Sequence, residues 1–371
     1  MIKVVFTGGK TGGHIFPAIA MATEFRRRRP ASRITFVGTE QGMETKVVPE
    51  YGFELLHIPA RGLARRSYLV NLMLGYHLLA GLWKSWRILN LTKPDLVVGT
   101  GGYVSFPVVL AASLMNVPTM IQEQNSYPGI STRLLAHFAD RVCLSYAYST
   151  DYFPAGSKFK VIGNPVRPDV TQGNREKALR AFGLDQDRKT IFVFGGSQGA
   201  RAINRILLEC LDSLKPEWQV LWQTGERDLA EVSQRTTGGP VKCAVYPFIQ
   251  DMKSAYAAAD LVVSRSGALT LAEITACGKP SILVPFPFAT ADHQEHNARI
   301  LQKEGAASVI LERDLTAERL CGEISSLLSD EKRLENMSQA SRRSGRPDAV
   351  SYLVDEMDTL LRKHQRASLA V

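Results

Sequence analysis

Three glycine-rich turns carry the residues best suited to chemistry. The first, Thr7-Gly8-Gly9-Lys10-Thr11-Gly12-Gly13-His14, follows an apolar run and opens a helical pattern. Glycines there let the backbone approach a ligand, and the free N–H groups of a helix start favour a phosphate or another oxyanion. Two common phosphate motifs do not fit. A P-loop needs a glycine where the chain has Val4, and Lys10 stands where a G-x-G-x-x-G turn requires its second glycine. What remains is a phosphate or sugar loop that ends in a histidine. A lone histidine is more often structural, but at the mouth of such a loop His14 suits proton transfer.

The second turn, Gly195-Gly196-Ser197-Gln198-Gly199-Ala200, follows the run Phe192-Val193-Phe194 and offers free N–H groups plus the Ser197 hydroxyl. The third lies in Arg265-Ser266-Gly267-Ala268-Leu269-Thr270-Leu271-Ala272-Glu273. Gly267 and the small Ala268 begin a helix whose N–H groups suit a diphosphate. Glu273 lies about one and a half turns further in, beyond the phosphates but within reach of a ribose edge. A carboxylate accepts hydrogen bonds from two vicinal hydroxyls, although a carboxylate near a helix start can also be purely stabilising. The loop Pro285-Phe286-Pro287-Phe288 follows, then Asp292-His293-Gln294-Glu295-His296-Asn297. Asp292, His293 and His296 invite a metal reading, but polar groups at a helix start can simply read sugar hydroxyls. Asp185-Gln186-Asp187 matches a D-x-D metal signature yet sits in a polar stretch before a strand, which reads as surface.

These turns need rigid elements behind them. Short β-branched runs alternate with longer helical patterns: Lys3–Thr7, Ile34–Val37, Asp95–Gly99, Thr119–Gln122 and Arg141–Leu144, then Thr190–Phe194, Val220–Gln223, Leu261–Ser264 and Ser281–Val284. Strands separated by helices imply βαβ units and parallel sheets covered on both faces. A weak repeat supports two similar halves. Asp95-Leu96-Val97-Val98 leads through Gly101-Gly102 and an apolar helix to Pro118-Thr119, and Asp260-Leu261-Val262-Val263 leads through Ser266-Gly267 to Pro280-Ser281. Gly163-Asn164-Pro165-Val166-Arg167-Pro168 reads as the junction between halves, because its prolines cannot continue a helix. Asp348 to Lys363 reads as an amphipathic helix that must find a sheet to cover.

The 371 residues favour two domains, and 45% hydrophobic with 22% charged residues exclude a disordered chain. Five scattered cysteines without C-x-x-C spacing fit a reducing cytoplasm and neither a disulfide framework nor a zinc site. The formal charge is +9, which suits nucleic acid, anionic lipid or phosphorylated partners. Arg26–Arg29 reads as a solvated helix end helped by the macrodipole. Arg61, Arg65 and Arg66 differ because Tyr68–Trp86 follows, rich in leucine with Tyr and Trp at its ends. Asn71, His77 and Lys84 argue against a bilayer span. Two readings stay open: a buried core helix, or one that places Leu72, Leu79, Leu82, Trp83 and Trp86 at a membrane surface.

Taken together, TGGKTGGHIFPAIA, GTGGYVSFP, QEQNSYPG, GNPVR, GGSQGA, RSGALTLAEI and DHQEHNA closely resemble the MurG family, the membrane-associated N-acetylglucosaminyltransferases of bacterial peptidoglycan synthesis. Their order spans residues 7 to about 300 and is far more specific than one glycine loop. The resemblance implies an α/β GT-B fold, two Rossmann-like parallel-sheet domains facing a cleft. Residues 1–163 would form the acceptor and membrane-side domain and 164–345 the donor-binding domain, with helix 346–371 packing back on the first. It implies inverting transfer of GlcNAc from UDP-GlcNAc to a polyprenyl-pyrophosphate-linked muramyl-pentapeptide, at the cytoplasmic face of the plasma membrane. The implied partners are these two substrates, an anionic membrane surface and other cell-wall enzymes, with no nucleic acid and no cofactor or obligatory protein-bound metal.

Carried over by position, Thr11, Gly12, Gly13 and Asn125 line the cleft from the first domain. Arg167 and Ile249 fall at the uracil side and Ser197 at the diphosphate. Ala268, Leu269, Thr270, Leu271, Ala272 and Glu273 run along diphosphate and ribose, and Gln294 meets the sugar. Lys10 departs from the small residue usual in the family, either adding charge near the acceptor pyrophosphate or facing solvent. His14 is the first choice of base or acceptor-orienting group, with Glu123 second. A UDP-GlcNAc epimerase, a glycolipid glycosyltransferase and a non-enzymatic membrane scaffold remain as alternatives.

Overall fold

Apolar runs with no polar alternation need cover on both faces, and both sheets of this chain receive it. The computed structural model describes residues 1–369 apart from Lys10, 61–67, Pro168 and 197–198, with side chains undescribed at 68–76 and 367–369. Two units result: Met1–Pro165 with Asp348–Val371, and Val166–Pro347.

In the first unit, strands β1 (Lys3–Thr7), β2 (Arg33–Gly38), β3 (Glu54–His57), β4 (Leu96–Gly99), β5 (Thr119–Glu123), β6 (Arg141–Leu144) and β7 (Phe159–Val161) form a parallel sheet in the order β3-β2-β1-β4-β5-β6-β7. Helices α1 (Gly12–Arg28), α2 (Glu44–Glu50), α3 (Tyr68–Thr92), α4 (Ser105–Leu114) and α5 (Ile130–Leu135) connect them. Strand order reverses between β1 and β4, and in such sheets ligands bind beyond the strand C-termini at that switch point. The first glycine turn leaves β1 there, and Thr100-Gly101-Gly102 leaves β4 beside it.

The second unit repeats the plan. Strands β8 (Lys189–Phe194), β9 (Trp218–Gln223), β10 (Lys242–Tyr246), β11 (Leu261–Ser264), β12 (Ser281–Leu283) and β13 (Ala307–Val309) pair in parallel as β10-β9-β8-β11-β12-β13. Helices α6 (Arg175–Ala181), α7 (Arg201–Cys210), α8 (Leu229–Thr236), α9 (Met252–Ala258), α10 (Ala268–Ala276), α11 (His293–Lys303), α12 (Ala317–Ser329) and α13 (Glu331–Ser344) cover it. Its switch point lies between β8 and β11, where the second and third glycine turns emerge. One departure from the cysteine reading occurs here: Cys210 and Cys321 are paired in a disulfide with Cα atoms 5.7 Å apart, because α7 and α12 pack side by side over one core. Cys143, Cys243 and Cys277 are free.

The chain then returns to the first unit as α14 (Ala349–Leu369). Leu353, Val354, Met357, Leu360 and Leu361 are buried against α1 residues Met21 and Phe25 and strand residues Val4 and Phe6. The arginines ending α1 are not a solvated cluster, contrary to the sequence reading. Arg28 pairs with Asp355 at 2.7 Å and Arg29 with Asp358 at 2.9 Å, while Arg26 lies over the Phe53 ring. Only Arg27, bonded to Glu24, keeps a mostly exposed side chain. Glu24 within α1 bonds Arg27 and Arg28, and α14 adds Asp355 to Arg28 and Asp358 to Arg29.

Helix α3 answers half of the question left open by its composition. Gly81, Ser85 and Leu89 face inward, and Leu82 packs partly against the core. Leu79, Trp83 and Trp86 stay outside, at 68%, 62% and 43% exposure, with the Arg87 guanidinium 4.9 Å from the Trp83 ring centre. A wholly buried core helix is therefore excluded over that stretch. Arg61, Arg65, Arg66 and the Leu72 side chain lie outside the described residues. No helix is long and apolar enough to cross a membrane, among the described residues.

Candidate functional site

Each unit gathers polar groups at its own switch point, and the two sets differ in kind. In the first unit, Thr11 is the residue before α1, with extended backbone (φ −128°, ψ 153°), and Gly12 and Gly13 form the first turn. His14 therefore projects from the helix start, half-buried. Its Nδ1 lies 2.9 Å from the Thr100 carbonyl oxygen and 2.9 Å from Gln124 Oε1. The ring fits because the β4 loop carries glycines: a Cβ on Gly101, whose φ is +100°, would fall 2.8 Å from Nδ1.

Glu123 ends β5 buried, and its carboxylate serves the following loop. Oε1 accepts from the Asn125 backbone N–H at 3.0 Å and its side-chain amide at 3.3 Å, and Oε2 accepts from Gly129 N–H at 3.1 Å. Asn125 is thus held against Glu123. A carboxylate absent from the sequence reading lies under the first glycine turn. Glu44 is 1% exposed and accepts from Thr39 N–H and hydroxyl at 2.9 and 2.8 Å, while a Cβ on Gly9 would meet its Oε1 at 2.6 Å. The crowded glycines Gly38 and Gly42 nearby are the signal for such a group in the sequence.

In the second unit, Gly267 caps α10 with extended backbone, and Ala268, Leu269, Thr270, Leu271, Ala272 and Glu273 form its opening turns. Glu273 meets Arg167 in a two-pronged pair, Nε to Oε1 at 2.9 Å and Nη2 to Oε2 at 3.3 Å. The Tyr256 hydroxyl donates to the same Oε2 at 3.2 Å. Burial, and then the Glu273 charge, push the Tyr256 hydroxyl well above the usual tyrosine range, so it remains a donor. Ile249 is buried beside Val166 and Met252 in the same core cluster, its N–H held by Gln223 Oε1 at 2.9 Å. Arg167, Glu273 and Ile249 thus share one end of the sheet, whereas Ser197 lies outside the described residues. Sequence reading missed Tyr256, which stands in an alanine-rich helix with nothing to distinguish it from core.

Gln294, second residue of α11, accepts from Phe286 N–H through Oε1 at 3.0 Å, and its backbone carbonyl accepts from the Ser266 hydroxyl at 2.8 Å. The loop it meets is held by Arg265, which donates to the Val284 and Pro285 carbonyls at 3.2 Å, pairs with Glu312 and stacks on Phe286. Asp292, His293 and His296 are not gathered into a cluster of ligands: no group of three metal-ligating side chains is found, among the described residues. Asp185 pairs with Lys242 and Arg188, as a surface carboxylate does.

Residues 4–144 match the N-terminal domain of glycosyltransferase family 28 and residues 190–353 its C-terminal domain. A relative from Desulfitobacterium hafniense, named UDP-N-acetylglucosamine–N-acetylmuramyl-(pentapeptide) pyrophosphoryl-undecaprenol N-acetylglucosamine transferase, is 42% identical over 95% of this chain and 98% of its own. The crystal structure of MurG from Acinetobacter baumannii is 29% identical and superposes with a TM-score of 0.80, covering 97% of this chain and all of that one. A UDP-GlcNAc 2-epimerase from Neisseria meningitidis shares only the fold, at 13% identity and a TM-score of 0.68 over 97% of this chain and 100% of its own. The two parallel-sheet Rossmann-like units are those of a GT-B glycosyltransferase. With relatives this similar over nearly their whole length, the chain belongs to the MurG family of N-acetylglucosamine transferases.

Proposed function

We infer that the protein moves N-acetylglucosamine from UDP-GlcNAc to the lipid-linked muramyl-pentapeptide, the step that completes the disaccharide precursor of peptidoglycan. The full-length identity to relatives of that name carries the inference. The acceptor hydroxyl attacks the anomeric carbon, the bond from that carbon to the diphosphate breaks, UDP departs and the configuration inverts. His14 takes the hydroxyl proton. Its half-buried ring at a glycine-rich helix start supports that assignment over Glu123, whose oxygens are engaged by the 125–129 loop. In the second unit the α10 N–H groups and Ser197 serve the diphosphate, Glu273 the ribose, Arg167 and Ile249 the uracil side, and Gln294 the sugar. Thr11, Gly12, Gly13 and Asn125 are the first unit's contribution to UDP-GlcNAc binding.

The test is incubation with UDP-GlcNAc and a polyprenyl-pyrophosphoryl muramyl-pentapeptide, following UDP and the disaccharide lipid together. Release of both in equal amounts is expected. Interconversion of UDP-GlcNAc without acceptor would instead mark an epimerase, which shares the fold.

The enzyme works as a peripheral protein against an anionic membrane at its cytoplasmic face, because its acceptor is anchored there. The outward Leu79, Trp83 and Trp86 support this, since aromatic rings suit the headgroup level. Arg61, Arg65 and Arg66 add about 1 kcal/mol each near an anionic surface. Sedimentation with anionic vesicles should be strong at low salt, partial at high salt and lost when the three arginines become glutamates. Equal binding to neutral vesicles would remove the electrostatic contribution.

A further inference from the structure

The imidazole of His14 is held by oxygens that can only accept. The Thr100 carbonyl oxygen and Gln124 Oε1 both lie 2.9 Å from Nδ1, so the neutral ring carries its proton there and keeps its lone pair on Nε2. Thr100 alone presents a backbone acceptor. Gln124 presents an amide, which could in principle turn over and offer its NH2 group instead. The surroundings forbid that. Gln124 Nε2 donates to the Thr100 carbonyl at 2.8 Å, to the Gln122 carbonyl at 3.0 Å and to Gln122 Oε1. A turned amide would set its oxygen against three acceptors and its NH2 against the imidazole N–H.

Gln122 is fixed in the same way. Its Nε2 donates to the Glu123 carbonyl at 3.2 Å, to Asn164 Oδ1 at 3.1 Å and to the Ser145 hydroxyl at 3.1 Å, which leaves Oε1 for Gln124. Asn164 closes the ring by donating from Nδ2 to the Gln124 carbonyl at 2.9 Å. All three amides are nearly inaccessible, at 0%, 1% and 4% exposure for Gln122, Gln124 and Asn164, so water does not re-solvate a misoriented group. The set is neutral throughout, because the Glu123 carboxylate is turned to the Asn125 and Gly129 N–H groups.

We propose that Gln124 is a positioning residue for the transfer step: locked by Gln122 and Asn164, it holds the His14 proton on Nδ1 and reserves Nε2 for the acceptor's proton. In the step itself the acceptor oxygen bonds to the anomeric carbon as UDP leaves, and its proton passes to Nε2, giving an imidazolium that still donates from Nδ1. This rests on His14 being the base, and the experiment separates the two.

The nitrogen-15 spectrum of the imidazoles, recorded on the intact wild-type protein in alkaline buffer, reads the tautomer directly, with the His14 signals identified by their loss in His14→Ala. A neutral ring protonated at Nδ1 is expected, and a ring protonated mainly at Nε2 overturns the proposal whatever Gln124→Leu does. Gln124→Leu should mix the tautomers and lower kcat by about 10-fold or more, part of the ~10²–10⁴-fold that a general base supplies, with the KM for UDP-GlcNAc within about twofold. An unchanged tautomer and kcat in Gln124→Leu would show that Thr100 suffices and would end the positioning role alone. Normal turnover by His14→Ala would remove the base, and this proposal with it.

Discussion

The two switch points place their polar groups by opposite means. In the first unit one imidazole is oriented by buried, uncharged amides whose NH2 groups are anchored on backbone carbonyls, those of Glu123, of Thr100 and Gln122, and of Gln124. In the second, Glu273 is held by a guanidinium whose side chain is 50% exposed, against 12% for the carboxylate, with a buried phenol behind it. A neutral buried network favours one geometry because each alternative leaves an unsatisfied group, at about 1–3 kcal/mol apiece. An ion pair open to water is worth far less and exchanges partners readily. The first arrangement suits a group that must present one atom in one protonation state. The second suits a group that must release one partner to take another, as a ribose edge replacing part of the Arg167 contact would require.

Removing His14 should therefore give the largest effect, and on turnover only. His14→Ala should lower kcat by about 10²–10⁴-fold, the usual worth of a general base, while UDP-GlcNAc binding measured by calorimetry stays within about twofold. A collapse of donor affinity with turnover of bound donor intact would reverse the roles of the two ends.

Next in size is Glu273→Ala, expected to weaken UDP-GlcNAc binding by about 1.5–3 kcal/mol, the range for hydrogen bonds to a charged group. The contrast sharpens when Arg167→Ala is added. If the pair merely holds Glu273 in readiness, the double variant should bind the donor little worse than Glu273→Ala alone. Full additivity of the two losses would mean that Arg167 meets the nucleotide on its own account.

The sequence reading located the interior strands, since β1, β4, β8 and β11 carry short apolar, β-branched-rich runs buried on both faces. It missed β3, β7, β10 and β13, and these are the four sheet edges. An edge strand has one neighbour and is shorter or half-exposed, so Glu54–His57 and Phe159–Val161 show no apolar run to find. The glycine turns were legible because they interrupt the pattern at strand ends. The groups that orient them were not. Gln122 and Gln124, on either side of the β5 terminus, read only as part of the QEQNSYPG motif, and their meaning depends on Asn164, 40 residues beyond Gln124, arriving beside them. The Asp355 and Asp358 partners of Arg28 and Arg29 were equally opaque, because they come from α14, more than 320 positions later.

The smallest effect expected is that of Tyr256→Phe, and it bears most directly on the contrast. The substitution keeps the ring packed edge-on to Phe192 and Phe194, 5.8 and 6.2 Å away, and deletes only the hydroxyl that donates to Glu273 Oε2. Folding should survive, because the aromatic packing is untouched. Glu273 then has Arg167 alone, through a contact that water can enter, and its carboxylate is free to swing away from the position a ribose would use. The hydroxyl reaches the donor only through Glu273, so only part of the ~1.5–3 kcal/mol of a hydrogen bond to a charged group is lost from binding, and donor affinity should fall by less than in Glu273→Ala with kcat at saturating donor unchanged. Because burial keeps the phenol protonated well above the usual tyrosine range, the wild-type protein should show no loss of donor affinity as pH approaches that range, about 10. A falling affinity there would mean that the phenol ionises beside Glu273 and repels it. Equal donor affinity in wild type and Tyr256→Phe would mean that the ion pair sets Glu273 unaided, leaving the first unit as the only end of the molecule that relies on buried neutral donors for its geometry.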